Sequence, residues 1–168
     1  ILNRIEVSTN YKKTGELSAG GYIWHTTGSG KTMTSYKTAR NLLMDIPSIE
    51  KTIFLIDRKD LDMQTTQAFQ SYANNDVVDV DETDNVGDLI NKLKNQNQQV
   101  IVTTIQKLSI AIKKRLQEGT PAYNRIKSLR MAVVVDECHR AVTPRTQRLL
   151  SQFFHNSLWY GFTGTPPF

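Results

Sequence analysis

The sequence holds a single cysteine, Cys138, so no internal disulfide can form. That usage fits a reducing compartment, and a cytoplasmic protein is the expectation. No apolar run approaches the roughly 20 residues that a membrane helix needs. The opening residues, Ile1 to Tyr11, are polar and mixed, without a signal-peptide pattern. There is no internal repeat, and no low-complexity tract beyond the short stretch Asn95 to Gln99. The initiator Met is missing and the sequence stops abruptly at Pro167-Phe168, so a piece of a longer protein is expected. What is present is ordinary for a globular chain: 168 residues, 39% hydrophobic and 22% charged, enough for one domain with a real core. The formal net charge of +5 leans weakly toward an anionic partner.

Short, near-continuous apolar runs read as strands buried on both faces: 22–24, 52–56, 100–102, 131–135 and 158–162, with Val77 to Val80 a weaker candidate. Helical spacing links Met33, Tyr36, Ala39 and Leu43, then Leu61, Thr65, Ala68 and Tyr72, then Ile105, Leu108, Ile112 and Leu116. A further helix is expected over about 146–154. Alternating strands and helices predict an α/β fold with a parallel sheet sandwiched by helices. Residues 1–20 read as a lead-in segment, and 21–168 as the domain. Asn74 to Asn85 is acidic and polar and reads as a solvated loop. A calcium loop over Asp79, Asp81 and Thr83 lacks its turn glycine, Asp84 standing there instead.

The sharpest signal is His25-Thr26-Thr27-Gly28-Ser29-Gly30-Lys31-Thr32, between a strand and a helix. Gly28 and Gly30 allow a tight turn whose backbone N–H groups approach phosphate oxygens, with Thr27 and Ser29 completing the loop. The helix N-terminus adds unpaired donors and partial positive charge. Lys31 reaches the terminal phosphates as a point charge, and the Thr32 hydroxyl can coordinate Mg²⁺. His25 stands where the usual pattern has its first glycine. Taken on its own, it reads as a packing or loop residue.

The run Met131 to Val135 ends in Asp136-Glu137-Cys138-His139. Ligands in open α/β sheets bind at such strand ends. Asp136 is the candidate Mg²⁺ holder, Glu137 the group that orients and deprotonates the attacking water, and His139 a candidate sensor of nucleotide state. Alone, two acids could simply cap the next helix; beside the phosphate loop, they indicate ATP chemistry. Cys138 and His139 have no partners at metal-ligand spacing.

These motifs resemble those of the DEAD-like superfamily 2 helicases and translocases. More narrowly, the segment from Tyr22 to Thr32 resembles the phosphate loop of type I restriction enzyme R subunits (the HsdR family), which have histidine at the position of His25. Residues 54–64 are similar to that family's motif Ia, 102–108 to its next DNA-contact motif, 136–140 to motif II and 161–166 to motif III. The resemblance implies a first RecA-like lobe of an ATP-driven double-stranded DNA translocase, using ATP and Mg²⁺. It implies methylation and specificity subunits as partners, and a nuclease domain and a second RecA-like lobe elsewhere in the full-length chain. It implies DNA contacts at Arg58, Lys59, Thr104, Gln106 and Lys107, although Arg58-Lys59 could begin a helix and Thr104 could cap one. It gives Thr163, Gly164 and Thr165 a role in coupling hydrolysis to lobe movement, where the residues alone suggest an ordinary turn. The basic triplet Lys113, Lys114 and Arg115 is left unassigned. Without the second lobe's arginine finger, the isolated chain is expected to turn nucleotide over slowly, if at all. The alternative within motors is another superfamily 2 helicase or remodeller lobe. A small-molecule kinase lacks a lid and acceptor site in this sequence, and a binding module without catalysis is at odds with Lys31, Asp136 and Glu137.

Overall fold

A computed structural model describes residues 2, 3, 7, 19–26, 29–56, 63–74, 76, 79–138 and 142–164, with 63–66 and 79–81 described by backbone alone. Strands β1 (Gly21–Trp24), β2 (Lys51–Ile56), β3 (Asp79–Glu82), β4 (Gln99–Thr104), β5 (Met131–Val135) and β6 (Ser157–Thr163) form one six-stranded sheet. Its order is β1-β6-β5-β2-β4-β3, and every neighbouring pair is parallel. The C-terminal ends of all strands therefore share one edge. The helices are α1 (Lys31–Asp45), α2 (Met63–Ala73), α3 (Val86–Lys94), α4 (Ile105–Ile110), α5 (Pro121–Lys127) and α6 (Pro144–Phe153). A π-helical turn, Ala111–Arg115, continues α4.

The strands form because both faces are covered. On one face, Phe54, Ile56, Val134, Tyr160 and Phe162 meet Tyr36, Ala39 and Leu42 of α1 and Phe69 of α2. On the other, Ile53, Leu55, Val133, Val135 and Trp159 meet Leu89 and Leu93 of α3, Leu108 of α4, Ile126 of α5 and Leu150 of α6. Strands β2, β4, β5 and β6 are buried at every position. Each fully buried Val, Leu, Ile or Phe contributes about 1.5–3 kcal/mol, so the central strands are the firmest part of the scaffold. Edge strand β1 is half open, with Tyr22 60% and Trp24 62% exposed.

Two expectations need correction. The stretch read as a solvated loop contains β3, which overlaps the weaker strand candidate Val77 to Val80 at Asp79 and Val80 and pairs with β4, and Thr83 just beyond it is buried. Its hydroxyl meets the Thr103 hydroxyl at 2.8 Å. Gln99 belongs to β4 rather than to a polar tract, and its side-chain oxygen lies 3.4 Å from the amino group of buried Lys51. Lys51 also reaches the Asn95 side-chain oxygen at 2.5 Å and the Asn97 carbonyl, so its charge is solvated by amide oxygens in place of water. Helices α3 and α5 were not read from the sequence. The calcium-loop positions Asp79 and Asp81 lie on the backbone of β3.

Candidate functional site

The site forms where β1, β5 and β6 end. Hydrogen bonds prolong the sheet past its last paired residues: the His25 N–H donates to the Thr163 carbonyl and the Asp136 N–H to the Leu55 carbonyl, each at 2.9 Å. The strands therefore deliver His25, Thr163 and Asp136 in fixed positions. Asp136 is held by the burial of Val133 to Val135 before it. That burial far exceeds the roughly 0–1 kcal/mol of an exposed ion pair, so the strand, not its charged partner, fixes the carboxylate.

Gly30 ends the loop in left-handed backbone, φ +81°, which a glycine adopts without the steric penalty that a Cβ brings. It is also the N-cap of α1, and no side chain caps that helix, nor does an acid stand in its first turn. The contrast with other helices is direct. Asn85 caps α3, Thr104 caps α4, Thr120 caps α5 and Thr143 caps α6, each accepting from a backbone N–H three residues on. Among the described residues, the start of α1 thus lacks the side-chain cap that the other helices have, as an anion site at a helix start requires.

Lys31, the first residue of α1, turns its amino group to the acids after β5. Lys31 Nζ lies 3.2 Å from Asp136 Oδ1 and also bonds the Glu137 carboxylate. Side-chain exposures near 20%, 12% and 21% mark all three as partly desolvated. The Glu137 N–H donates back to Asp136 Oδ1 at 3.0 Å. Glu137 itself has φ 45°, the only described non-glycine residue in left-handed backbone, and its carboxylate accepts from the Lys31 amino group. Thr32 is half-buried in the first turn of α1.

Around this centre, Ser29 Oγ donates to the Thr26 carbonyl at 2.6 Å and meets His25 Nδ1 at 2.8 Å. The His25 ring lies 6.0 Å from that of Phe162. Gly161 is the point of closest approach. A Cβ there would lie 2.7 Å from Cys138 Sγ and 2.8 Å from Tyr22 Cδ1. Thr163 is buried and Gly164 partly so, both beside His25.

The expected DNA contacts divide. Gln106 is exposed on the first turn of α4. Thr104 is buried, and its hydroxyl accepts from the Lys107 N–H at 3.3 Å. The Lys107 amino group donates to the Thr83 carbonyl. Thr27, Gly28, Arg58, Lys59, His139 and Thr165 lie outside the described residues. The sequence marks His25 as a departure from the usual loop and as a point of resemblance to type I restriction R subunits, with a packing or loop role on its own. Its bond to Ser29 follows a four-residue spacing across the loop that could have been noticed. The role of Gly161 depends on neighbours in two other segments, which no local signal reveals.

Over residues 2–168 the chain matches the SWI2/SNF2 ATPase family. It is 45% identical over 153 residues to a type I restriction enzyme endonuclease subunit of Staphylococcus saprophyticus, a match covering 91% of this chain but 16% of that one. It is 36% identical over 157 residues to the C-terminal part of a putative type I restriction enzyme endonuclease subunit of Mycoplasma pneumoniae, covering 92% of this chain and 73% of that one. Among solved structures, the Pyrococcus furiosus Hef helicase domain gives a TM-score of 0.62 at 23% identity, covering 98% of this chain and 33% of that one. A nuclease-deletion mutant of the Type ISP restriction-modification enzyme LlaGI, in complex with a DNA substrate mimic, gives 0.62 at 17% identity, covering 98% and 17%. These structural likenesses establish the RecA-like helicase fold. The chain belongs to the SWI2/SNF2 ATPase family and to the endonuclease subunits of type I restriction enzymes.

Proposed function

We propose that residues 21–168 are the first RecA-like lobe of an ATP-driven double-stranded DNA translocase, the motor of a type I restriction endonuclease. The observation that carries this reading is the meeting of Lys31 Nζ with Asp136 Oδ1 at 3.2 Å, phosphate loop against strand-end acid. In this reading Ser29, Gly30 and Lys31, with Thr27 and Gly28, hold the phosphates of ATP. The oxygen donors Thr32 and Asp136 suit Mg²⁺, a hard cation that prefers oxygen ligands. When bound, that ion neutralises phosphate charge. Glu137 orients the attacking water and takes its proton, and His139 reports nucleotide state.

DNA contact is proposed along the edge where the strands end. Exposed Gln106 is the best placed of the described candidates, with Arg58 and Lys59 beside it in sequence-based expectation. Thr104 and Lys107 serve that contact by shaping the first turn of α4. Non-specific phosphate contacts suit a motor that must not read sequence. Thr163, Gly164 and Thr165 pass the state of the nucleotide to a second lobe. Methylation and specificity subunits are the proposed partners, and cleavage belongs to a nuclease domain elsewhere in the longer protein.

The test uses the full-length subunit with its partners. Lys31→Ala and Asp136→Ala are expected to abolish DNA-stimulated ATP hydrolysis. Glu137→Gln is expected to keep nucleotide binding and lower turnover by about 10²–10⁴-fold. Hydrolysis that persists in the lysine or aspartate variant would overturn the assignment.

A further inference from the structure

We propose that His25 is a positioning residue for the phosphate loop: its imidazole N–H holds the Ser29 hydroxyl while its backbone fastens the loop to the end of β6. The hydrogen count decides the direction of the side-chain bond. Ser29 Oγ carries one hydrogen and gives it to the Thr26 carbonyl at 2.6 Å. At 2.8 Å from the same oxygen, His25 Nδ1 must therefore be the donor. The ring is protonated on Nδ1, and in its neutral form Nε2 is the bare nitrogen.

The same residue is tied to β6. Its N–H donates to the Thr163 carbonyl at 2.9 Å, and its ring lies 6.0 Å from that of Phe162. A Cβ on Gly164 would sit 3.6 Å from the His25 carbonyl oxygen, so that glycine lies in contact with the backbone of His25. A glycine at position 25, as in the commoner loop, would keep the backbone bond and lose the side-chain one. Histidine thus adds a strut between the loop that meets the phosphates and the segment from Phe162 to Gly164.

This inference rests on the reading of that loop as a nucleotide site, and the experiment separates the two. The probe is a fluorescent ADP with Mg²⁺, titrated into the full-length subunit and its His25→Ala, His25→Asn, Ser29→Ala, His25→Ala/Ser29→Ala and Lys31→Ala variants. Loss of one neutral hydrogen bond predicts about fivefold weaker binding for His25→Ala. In the Ser29→Ala background the same change is expected to add less than about twofold, since its partner is already gone. Asparagine places an amide N–H near the position of Nδ1, and His25→Asn is expected to bind within about twofold of wild type. An unchanged dissociation constant in His25→Ala, even with a lowered unfolding midpoint, would mean a purely structural role and overturn the inference. So would multiplying losses in the double variant, or an asparagine variant as weak as alanine. Wild type that binds no nucleotide, or Lys31→Ala that binds as wild type does, would remove the nucleotide site itself and this inference with it.

Discussion

Gly161 shows what a single missing methyl group permits. It lies in β6 between Tyr22 of β1 and Val135 of β5, and Cys138 packs over it. An added Cβ would lie 2.9 Å from Cys138 Cβ, an atom that cannot swing aside without moving the chain that carries Asp136 and Glu137. Gly161→Ala is therefore expected to cost about 1–3 kcal/mol by overpacking, read as a shift in the urea midpoint. Cys138→Ala in the same chain is expected to recover part of that loss, because it removes the sulfur that an added methyl would meet at 2.7 Å. A glycine whose replacement proved neutral would show that the segment after β5 adjusts freely, and the tight placement of the acids would need another cause.

Between α1 and α2 the contact is aromatic and charged. The Tyr36 ring packs edge-on to Phe69, with centroids 5.3 Å apart, and its hydroxyl donates to Asp76 Oδ2 at 3.0 Å. Arg40 pairs with the same carboxylate. Burial pushes the Tyr36 phenol up to about 12, helped by the Asp76 hydrogen bond and charge. A raised value in the folded state means that the contribution is complete below the ordinary 10.0 and fades as pH climbs toward about 12. Tyr36→Phe is expected to flatten the loss of stability across that window, measured by urea unfolding at stepped pH. An equal slope in the variant would place the alkaline sensitivity elsewhere. How far these elements could be read beforehand follows from their environment. Strands β2, β4 and β5 were legible because burial on both faces leaves near-continuous apolar runs. Strand β3 was legible only in part, through the weaker candidate Val77 to Val80 that overlaps its start, because Asp79-Val80-Asp81-Glu82 forms an edge with only β4 beside it. Helix α3 sets Val86, Leu89, Ile90 and Leu93 at helical spacing against the core behind an Asn85 cap, a signal present in the sequence but short, since the helix spans only 9 residues. Helix α5 spans 7 residues, yet its start was signalled by Thr120-Pro121, a cap followed by a first-turn proline. The Gly30-Lys31-Thr32 turn and the acids after Val135 stand out in the sequence as residue types, whereas the meeting of Lys31 with Asp136 depends on sheet order.

At the scale of the molecule, one edge of the sheet carries the candidate site and the opposite edge carries contacts that hold the strands together. There, Glu50 joins the starts of β2 and β5. Its N–H donates to the Arg130 carbonyl at 2.8 Å, and its carboxylate accepts from the Arg130 N–H at 3.0 Å and from Arg125 at 2.8 Å. Burial pushes the Glu50 carboxyl upward, but the Arg130 N–H and the Arg125 guanidinium together outweigh it and hold the group below its ordinary 4.5. A lowered value means that the contribution is complete above 4.5 and is lost as pH falls through the folded-state value. Asp88, lowered chiefly by its hydrogen bond from Lys92, acts with the same sign. Glu50→Gln is expected to unfold with a weaker acid dependence than wild type, and a parallel acid limb in the two proteins would exclude this clamp as its source. At the chemical edge, Lys31 is engaged by Asp136 and Glu137 at once. An ammonium so engaged is only partly free to meet a phosphate. A phosphate offered to Lys31 would therefore have to compete with two anions of the chain itself.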